Sequence, residues 1–234
     1  MTPLSGELCA VCGDSLATDS PYAQEARCVV CRRVEMPFAR AIAYGSYEGH
    51  IRELVHLLKY EHVLPAADCL GRMLADAIHS LLPAFGAAPV LLLPVPLHRA
   101  KMRGRGFNQA ERIAHTALRH LPDARLQLES CDLLRQRETG SQTGLTPHQR
   151  RENVRGAFQV SRPQAVADRE VLLVDDVYTT GATAAECSRV LRKAGASRVY
   201  VATVARTLKA DAAALQKRPA GVKSFNEWPR AVNE

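Results

Sequence analysis

VLLVDDVYTTGAT, Val171 to Thr183, joins two patterns that belong to different layers of an α/β protein. Val171, Leu172, Leu173 and Val174 form a continuous apolar run, as in a strand covered on both faces of a parallel sheet. The run ends abruptly at Asp175 and Asp176. Beyond the small or hydroxylic Thr179, Thr180, Gly181, Ala182 and Thr183, helical spacing begins at Cys187, Val190, Leu191 and Ala194, and Gly195 supplies a C-terminal stop. Strand, small-residue loop and helix start together make an anion site, because free backbone N–H groups point outward where the helix dipole is positive. Phosphate is the expected anion: threonine hydroxyls add donors, and Gly181 lets the backbone approach closely. Two carboxylates beside a phosphate would repel it, so they serve another part of the same ligand. They would accept hydrogen bonds from sugar hydroxyls, as the acid of a dinucleotide site does, or hold a hydrated magnesium ion. The combination suggests a ribose 5-phosphate. A strand-to-helix turn that merely carries acids and threonines is the plainer alternative. A Walker A loop is excluded by the missing Gly-Lys-Ser/Thr ending.

Upstream, Val90 to Val95 repeats the buried-strand pattern and runs into Pro94, Val95, Pro96 and Leu97, followed by His98, Arg99, Lys101, Arg103 and Arg105. A proline-stiffened turn with a cluster of cations suits a polyphosphate, and equally a nucleic-acid backbone. The helix after it carries Phe107, Ala110, Ile113, Ala114, Ala117 and Leu118 on its apolar face. Earlier still, Ala41 to Tyr47 reads as a strand or hairpin edge. One helix follows with Ile51, Leu54, Val55 and Leu58 inward and Lys59 and Tyr60 closing it; a second bears Leu70, Met73, Leu74, Ala77, Ile78 and Leu81. Arg198 to Arg206 supplies a last strand. Strands alternating with helices imply an α/β fold, a parallel sheet flanked by helices with ligand loops at the strands' C-terminal edge.

At the N-terminus, Cys9 and Cys12 form one C-x2-C pair and Cys28 and Cys31 another, the spacing of a four-cysteine zinc site. This segment has too little apolar material for a core of its own, so a structural zinc would supply the folding free energy. The reading is a zinc ribbon over residues 1–40, an α/β domain over 41–207, and a flexible tail over 208–234. Seven cysteines, four of them in these pairs, suit a reducing compartment better than a disulfide framework. No signal peptide stands at the start, and the longest uncharged stretch, Leu81 to Leu97, is broken by four prolines, which excludes a membrane helix. A cytoplasmic protein is expected. The net charge of +7 points to anionic ligands. The scattered histidines 50, 56, 62 and 79 lack paired ligand spacing and are assigned no chemistry.

The motif at 171–183 closely resembles the phosphoribosyl pyrophosphate (PRPP) signature of type I phosphoribosyltransferases. Three further segments narrow the resemblance to the ComF family, competence-associated proteins with a phosphoribosyltransferase domain and a zinc ribbon. They are AIAYGSYEGHIRELVHLLKYEH, PVPLHRAKMRGRGFNQA and RETGSQTGLTPHQRRENVRGAF, beginning at Ala41, Pro94 and Arg137. The resemblance implies that Asp175 and Asp176 bind the ribose and Thr179, Thr180, Gly181, Ala182 and Thr183 the 5-phosphate. It places Val95, Pro96, Leu97, Arg99, Lys101, Arg103 and Arg105 on the pyrophosphate side, with magnesium bridging the ligand's oxygens. The polar, basic segment from Arg137 to Arg150 would be a mobile lid that excludes water, with Arg137 as a catalytic candidate. If chemistry occurs, the resemblance implies displacement of pyrophosphate from C1 of PRPP through an oxocarbenium-like transition state.

No stretch reads as a nucleobase hood, which leaves the acceptor open. The alternative is a non-catalytic protein of DNA uptake that senses PRPP or handles single-stranded DNA, with a competence helicase as a further partner. Few aromatics argue mildly against a stacking groove for DNA. Replacing Asp175 and Asp176 with asparagine is expected to spare the fold while weakening ribose binding.

Overall fold

The computed structural model describes residues 3–16, 26–130, 132–140 and 144–208. In chain order its elements are α1 (Val29–Arg33), β1 (Arg40–Ser46), α2 (Gly49–Tyr60), α3 (Ala66–His79), β2 (Val90–Pro94), α4 (Arg99–Arg105), α5 (Gln109–His120), β3 (Leu126–Leu128), β4 (Leu133–Arg135), α6 (Pro147–Val154), β5 (Phe158–Val160), α7 (Pro163–Val166), β6 (Glu170–Tyr178), α8 (Ala182–Lys193) and β7 (Arg198–Arg206). Five strands form one sheet in the order β1-β7-β6-β2-β3, and every adjacent pair is parallel. β4 and β5 make a separate antiparallel pair. Ala41–Tyr47 is therefore no hairpin edge: its strand is the sheet's edge, and it pairs in parallel with the last strand of the described chain.

The apolar run of β6 splits its side chains between two cores, as a period of two requires. Leu172 and Val174 pack with Ile51, Val55 and Leu58 of α2, with α3, and with Ile113 and Ala114 of α5. Val171 and Leu173 pack on the opposite face with Cys187 and Leu191 of α8, with Phe158 and Val160 of the small hairpin, and with the four N-terminal cysteines. The cysteine segment is thus built into the face of the sheet. Its backbone also extends the β1 edge, through Leu4 N–H to the Tyr44 carbonyl and Ala41 N–H to the Val11 carbonyl, each at 2.7 Å.

Helices α4 and α6, like the short α1 and α7, stand where no apolar periodicity announces them. α4 buries no side chain at all, so its sequence shows only charge; His98 caps it and Gly106, at φ +77°, ends it in the left-handed conformation. α6, inside the segment read as a lid, starts with Thr146, Pro147 and Gln149 in a complete capping box, a local signal present in the sequence. The tail read as flexible lies outside the described residues, apart from its first residue, as do residues 141–143 of the lid segment. Among the described residues no helix is long and apolar enough to cross a membrane.

Candidate functional site at the carboxyl edge of the sheet

β6 does not stop at Asp175. It continues to Tyr178 because β7 is equally long and pairs with it to the end, Asp175 opposite Thr203 and Tyr178 opposite Arg206. On its other side β2 has already ended, at Pro94 opposite Val174, and only Val95 N–H still bonds the Val174 carbonyl, at 2.8 Å. Asp175 and Asp176 therefore lie where β6 loses one neighbour, level with the turn at Val95, Pro96 and Leu97. Asn108 holds that turn: its amide donates to the Val95 carbonyl at 3.1 Å, and its side-chain oxygen caps α5 at Ala110 N–H, also at 3.1 Å.

The two carboxylates face different neighbours. Asp176 is buried and forms an ion pair with Lys59 at the end of α2, whose side chain is 19% exposed. Burial disfavours the Lys59 charge, but the adjacent Asp176 outweighs it and holds the ammonium above its ordinary value. Asp175 is half-buried and accepts the Asp176 N–H at 2.9 Å, while the Asp176 side chain accepts Val177 N–H at 2.8 Å. Burial pushes the Asp175 carboxyl up to about 8; the Asp176 charge adds to the rise and Lys59 opposes it.

A lysine closing a helix is ordinary, so sequence alone gives Lys59 no role. Arg135 lies in a short apolar run and is equally unmarked. Its Nε is buried without a hydrogen-bond partner among the described residues, its guanidinium lies 5.2 Å from the Phe158 ring, and its field reaches Asp175. Burial lowers its affinity for a proton, as it does that of Lys101, which also feels Arg135 and Arg105. Lys59, Lys101, Arg105 and Arg135 thus share one electrostatic neighbourhood around the aspartates. Arg105 lies 5.8 Å from the Tyr60 ring, beside Lys59 in sequence, and donates to Gln109. Arg99 and Arg103 are exposed on α4.

Gly181, at φ +76°, turns the chain into α8 and puts no side chain over the helix end. A Cβ there would lie 2.2 Å from the Tyr178 hydroxyl oxygen, so the loop from Thr179 to Thr183 is wrapped against that ring. Thr180 is exposed, whereas Ala182 is buried. Arg137 is turned away from the aspartates: its guanidinium donates to the carbonyls of Asn153 and Arg155 at 2.9 and 2.8 Å. In this conformation it closes the C-terminal end of α6 and does not join the acids. Glu186 anchors the same segment to α8 by accepting Gly156 N–H at 2.7 Å.

On the α8 face of the sheet, in one buried cluster with Tyr178, the sulfurs of Cys9, Cys12, Cys28 and Cys31 lie within 4.8 Å of one another, all buried. Burial and mutual repulsion raise the Cys12 thiol to about 12 and that of Cys31 further. A central cation reverses that repulsion, so the four residues fit a metal of soft-ligand preference.

The elevated Asp175 has a sign that can be tested. A carboxyl whose pKa rises on folding adds stability below its unfolded value of 3.8, and that stability is lost as pH rises to about 8. Between pH 4.5 and 8.5, in metal-loaded protein without magnesium, the parent should lose more stability than an Asp175→Asn variant. Urea midpoints at about five pH values check this; parallel curves for the two proteins would refute it.

A family profile described as phosphoribosyl transferase domain matches residues 110–233. The DNA utilization protein YhgH of Escherichia coli O157:H7 is 30% identical over 211 residues, which cover 86% of this chain and 91% of that one. Competence protein F of Haemophilus influenzae is 30% identical over 200 residues, covering 85% of this chain and 84% of its own. Among solved structures, a hypoxanthine phosphoribosyltransferase of Staphylococcus aureus overlays 68% of this chain and 71% of its own, with a TM-score of 0.39 and 12% identity.

Proposed function

Because this chain belongs to the phosphoribosyl transferase domain family, with Competence protein F among its relatives, we propose that it binds magnesium-PRPP, or a related phosphoribosyl ligand, at the carboxyl edge of the sheet. The observation that carries the reading is the point where β6 outlasts β2, with two acids on the strand and a helix start led by Gly181, five residues beyond Asp176. Asp175 and Asp176 would accept the ribose hydroxyls, and Thr179 to Thr183 would wrap the 5-phosphate at the α8 N-terminus. Lys101 and Arg105 would face the pyrophosphate, with Val95, Pro96 and Leu97 as the floor beneath it and Arg99 and Arg103 at the rim. Lys59 adds a half-buried cation to this side. Magnesium would supply charge neutralisation of the leaving pyrophosphate. The four cysteines would hold a structural zinc with no open position.

Transfer to an acceptor and sensing of PRPP use the same binding step. The relatives' names tie them to DNA utilization and competence, and the exposed cations of α4 give the second reading a surface on which single-stranded DNA would bind through its phosphates. One substitution separates the two. Asp175→Asn keeps the acceptor for the Asp176 N–H and removes the ribose carboxylate, so calorimetry should show magnesium-PRPP binding weakened by about 1.5–3 kcal/mol. Single-stranded DNA binding should not weaken, since asparagine adds no negative charge to repel a polyanion. Equal PRPP affinity in parent and variant would end the ribose assignment.

A further inference from the structure

We infer that Arg206 is a positioning residue that ties the four-cysteine segment to the Thr179–Thr183 loop through Tyr178, so that metal binding at one and anion binding at the other reinforce each other. The anion half of this statement rests on the phosphoribosyl reading above; the contact chain does not.

Arg206 ends β7 and is only 3% exposed. A guanidinium so buried needs partners, and breaking such a pair is strongly destabilising. Both of its polar partners come from the cysteine segment, 192 or more residues away in sequence: it donates to the Cys12 carbonyl and pairs with the Asp14 carboxylate at 3.0 Å. Among the described residues its Nε finds no acceptor, so the fork is oriented from that side. Its charge lies 5.1 Å from the centre of the Tyr178 ring, a cation–π contact in a desolvated place. Tyr178 is in turn held edge-on by Phe38 at 6.5 Å, and its hydroxyl end lies against Gly181, where even a methyl group would collide.

The line Cys12, Arg206, Tyr178, Gly181 is therefore continuous contact. Gly13 keeps the first link tight: at φ +68° its Cα sits so close to β1 that a Cβ would be 2.9 Å from the Ala41 carbonyl and 3.6 Å from the Arg206 fork. A metal that fixes the turn after Cys9 fixes the Cys12 carbonyl and Asp14 with it. Arg206 then holds the Tyr178 ring, and the ring sets where the loop's backbone can lie. Coupling of this kind is reciprocal, so an anion ordering the loop must tighten the metal site to the same extent.

The first test needs no ligand. Arg206→Met in the zinc-loaded full chain, with all four cysteines present, should raise amide hydrogen exchange in Thr179–Thr183 by about tenfold while strand β2 keeps its protection. Asp14→Asn, which retains an acceptor for Arg206, should move the same amides less and covers the case in which Arg206→Met does not fold. Loop exchange equal to the parent's in a folded variant overturns the inference. The second test uses the parent with cobalt in the cysteine site: saturating ribose 5-phosphate should shift the cobalt d–d bands and slow cobalt loss to a chelator by about fivefold or more. Binding of ribose 5-phosphate with no spectral or kinetic change also overturns it. If ribose 5-phosphate does not bind, the phosphoribosyl reading fails, and the exchange experiment still decides the contact chain.

Discussion

Replacing Cys28 and Cys31 with serine should abolish metal binding and destabilise one whole face of the sheet, far beyond the first 40 residues. Elemental analysis of protein purified without chelator should give one zinc per parent chain and none in the variant. A structural zinc site contributes on the order of 10 kcal/mol of apparent binding energy in small domains, and that energy is folding energy when the ligands are unordered without the ion. Here the four cysteines share a buried cluster with Phe38, Ala41, Leu93, Leu173 and Tyr178. Hydroxyls in place of two thiolates would leave that cluster with unpaired polar groups, and the loss should appear as a large fall in the thermal midpoint. A parent free of zinc, or one carrying iron, would refute the assignment. A variant as stable as the parent would show that the apolar cluster holds the segment without metal.

Asp176→Asn should be the second most damaging change, and for a reason unrelated to ligand. It removes the charge that partners Lys59, and a buried pair broken on one side costs about 3–5 kcal/mol because the remaining charge is left uncompensated. With Lys59 19% exposed, the lower end of that range is expected. Lys59→Met combined with Asp176→Asn should recover most of the loss, since replacing both members of a buried pair is often nearly neutral. Urea denaturation of the parent, the two single variants and the double variant measures the coupling directly. A cost below about 1 kcal/mol for Asp176→Asn, no more than a surface pair is worth, would mean that the ion pair is not formed. Asparagine at both positions should therefore cost stability through Asp176, whereas Asp175→Asn alone should spare the fold. Ligand experiments on this site are best read from Asp175→Asn, which touches no ion pair.

The sequence by itself determined the layers and the chemistry of the motif. The run from Val171 to Val174 can only be a strand covered on both sides, and Gly181 among hydroxylic residues can only be a tight entry to the helix that follows. The C-x2-C pairs specified a four-sulfur cluster, because short spacing fixes which atoms can converge. These are local facts, carried by periodicity and by residues with narrow conformational or chemical uses. Tertiary structure decided everything that depends on which distant residues meet. Lys59, Arg135 and Arg206 are common residues on an ordinary helix end and strands, and nothing in their own segments marks them. Asp176 and Asp175 take opposite neighbours because adjacent residues of a strand point to opposite faces. Arg137 is turned to the carbonyls of Asn153 and Arg155 because α6 ends beside it. Whether a cation serves the site or the scaffold depends on which carboxylate or carbonyl it meets after folding, and sequence spacing carries no information on contacts made 117 or 192 residues apart.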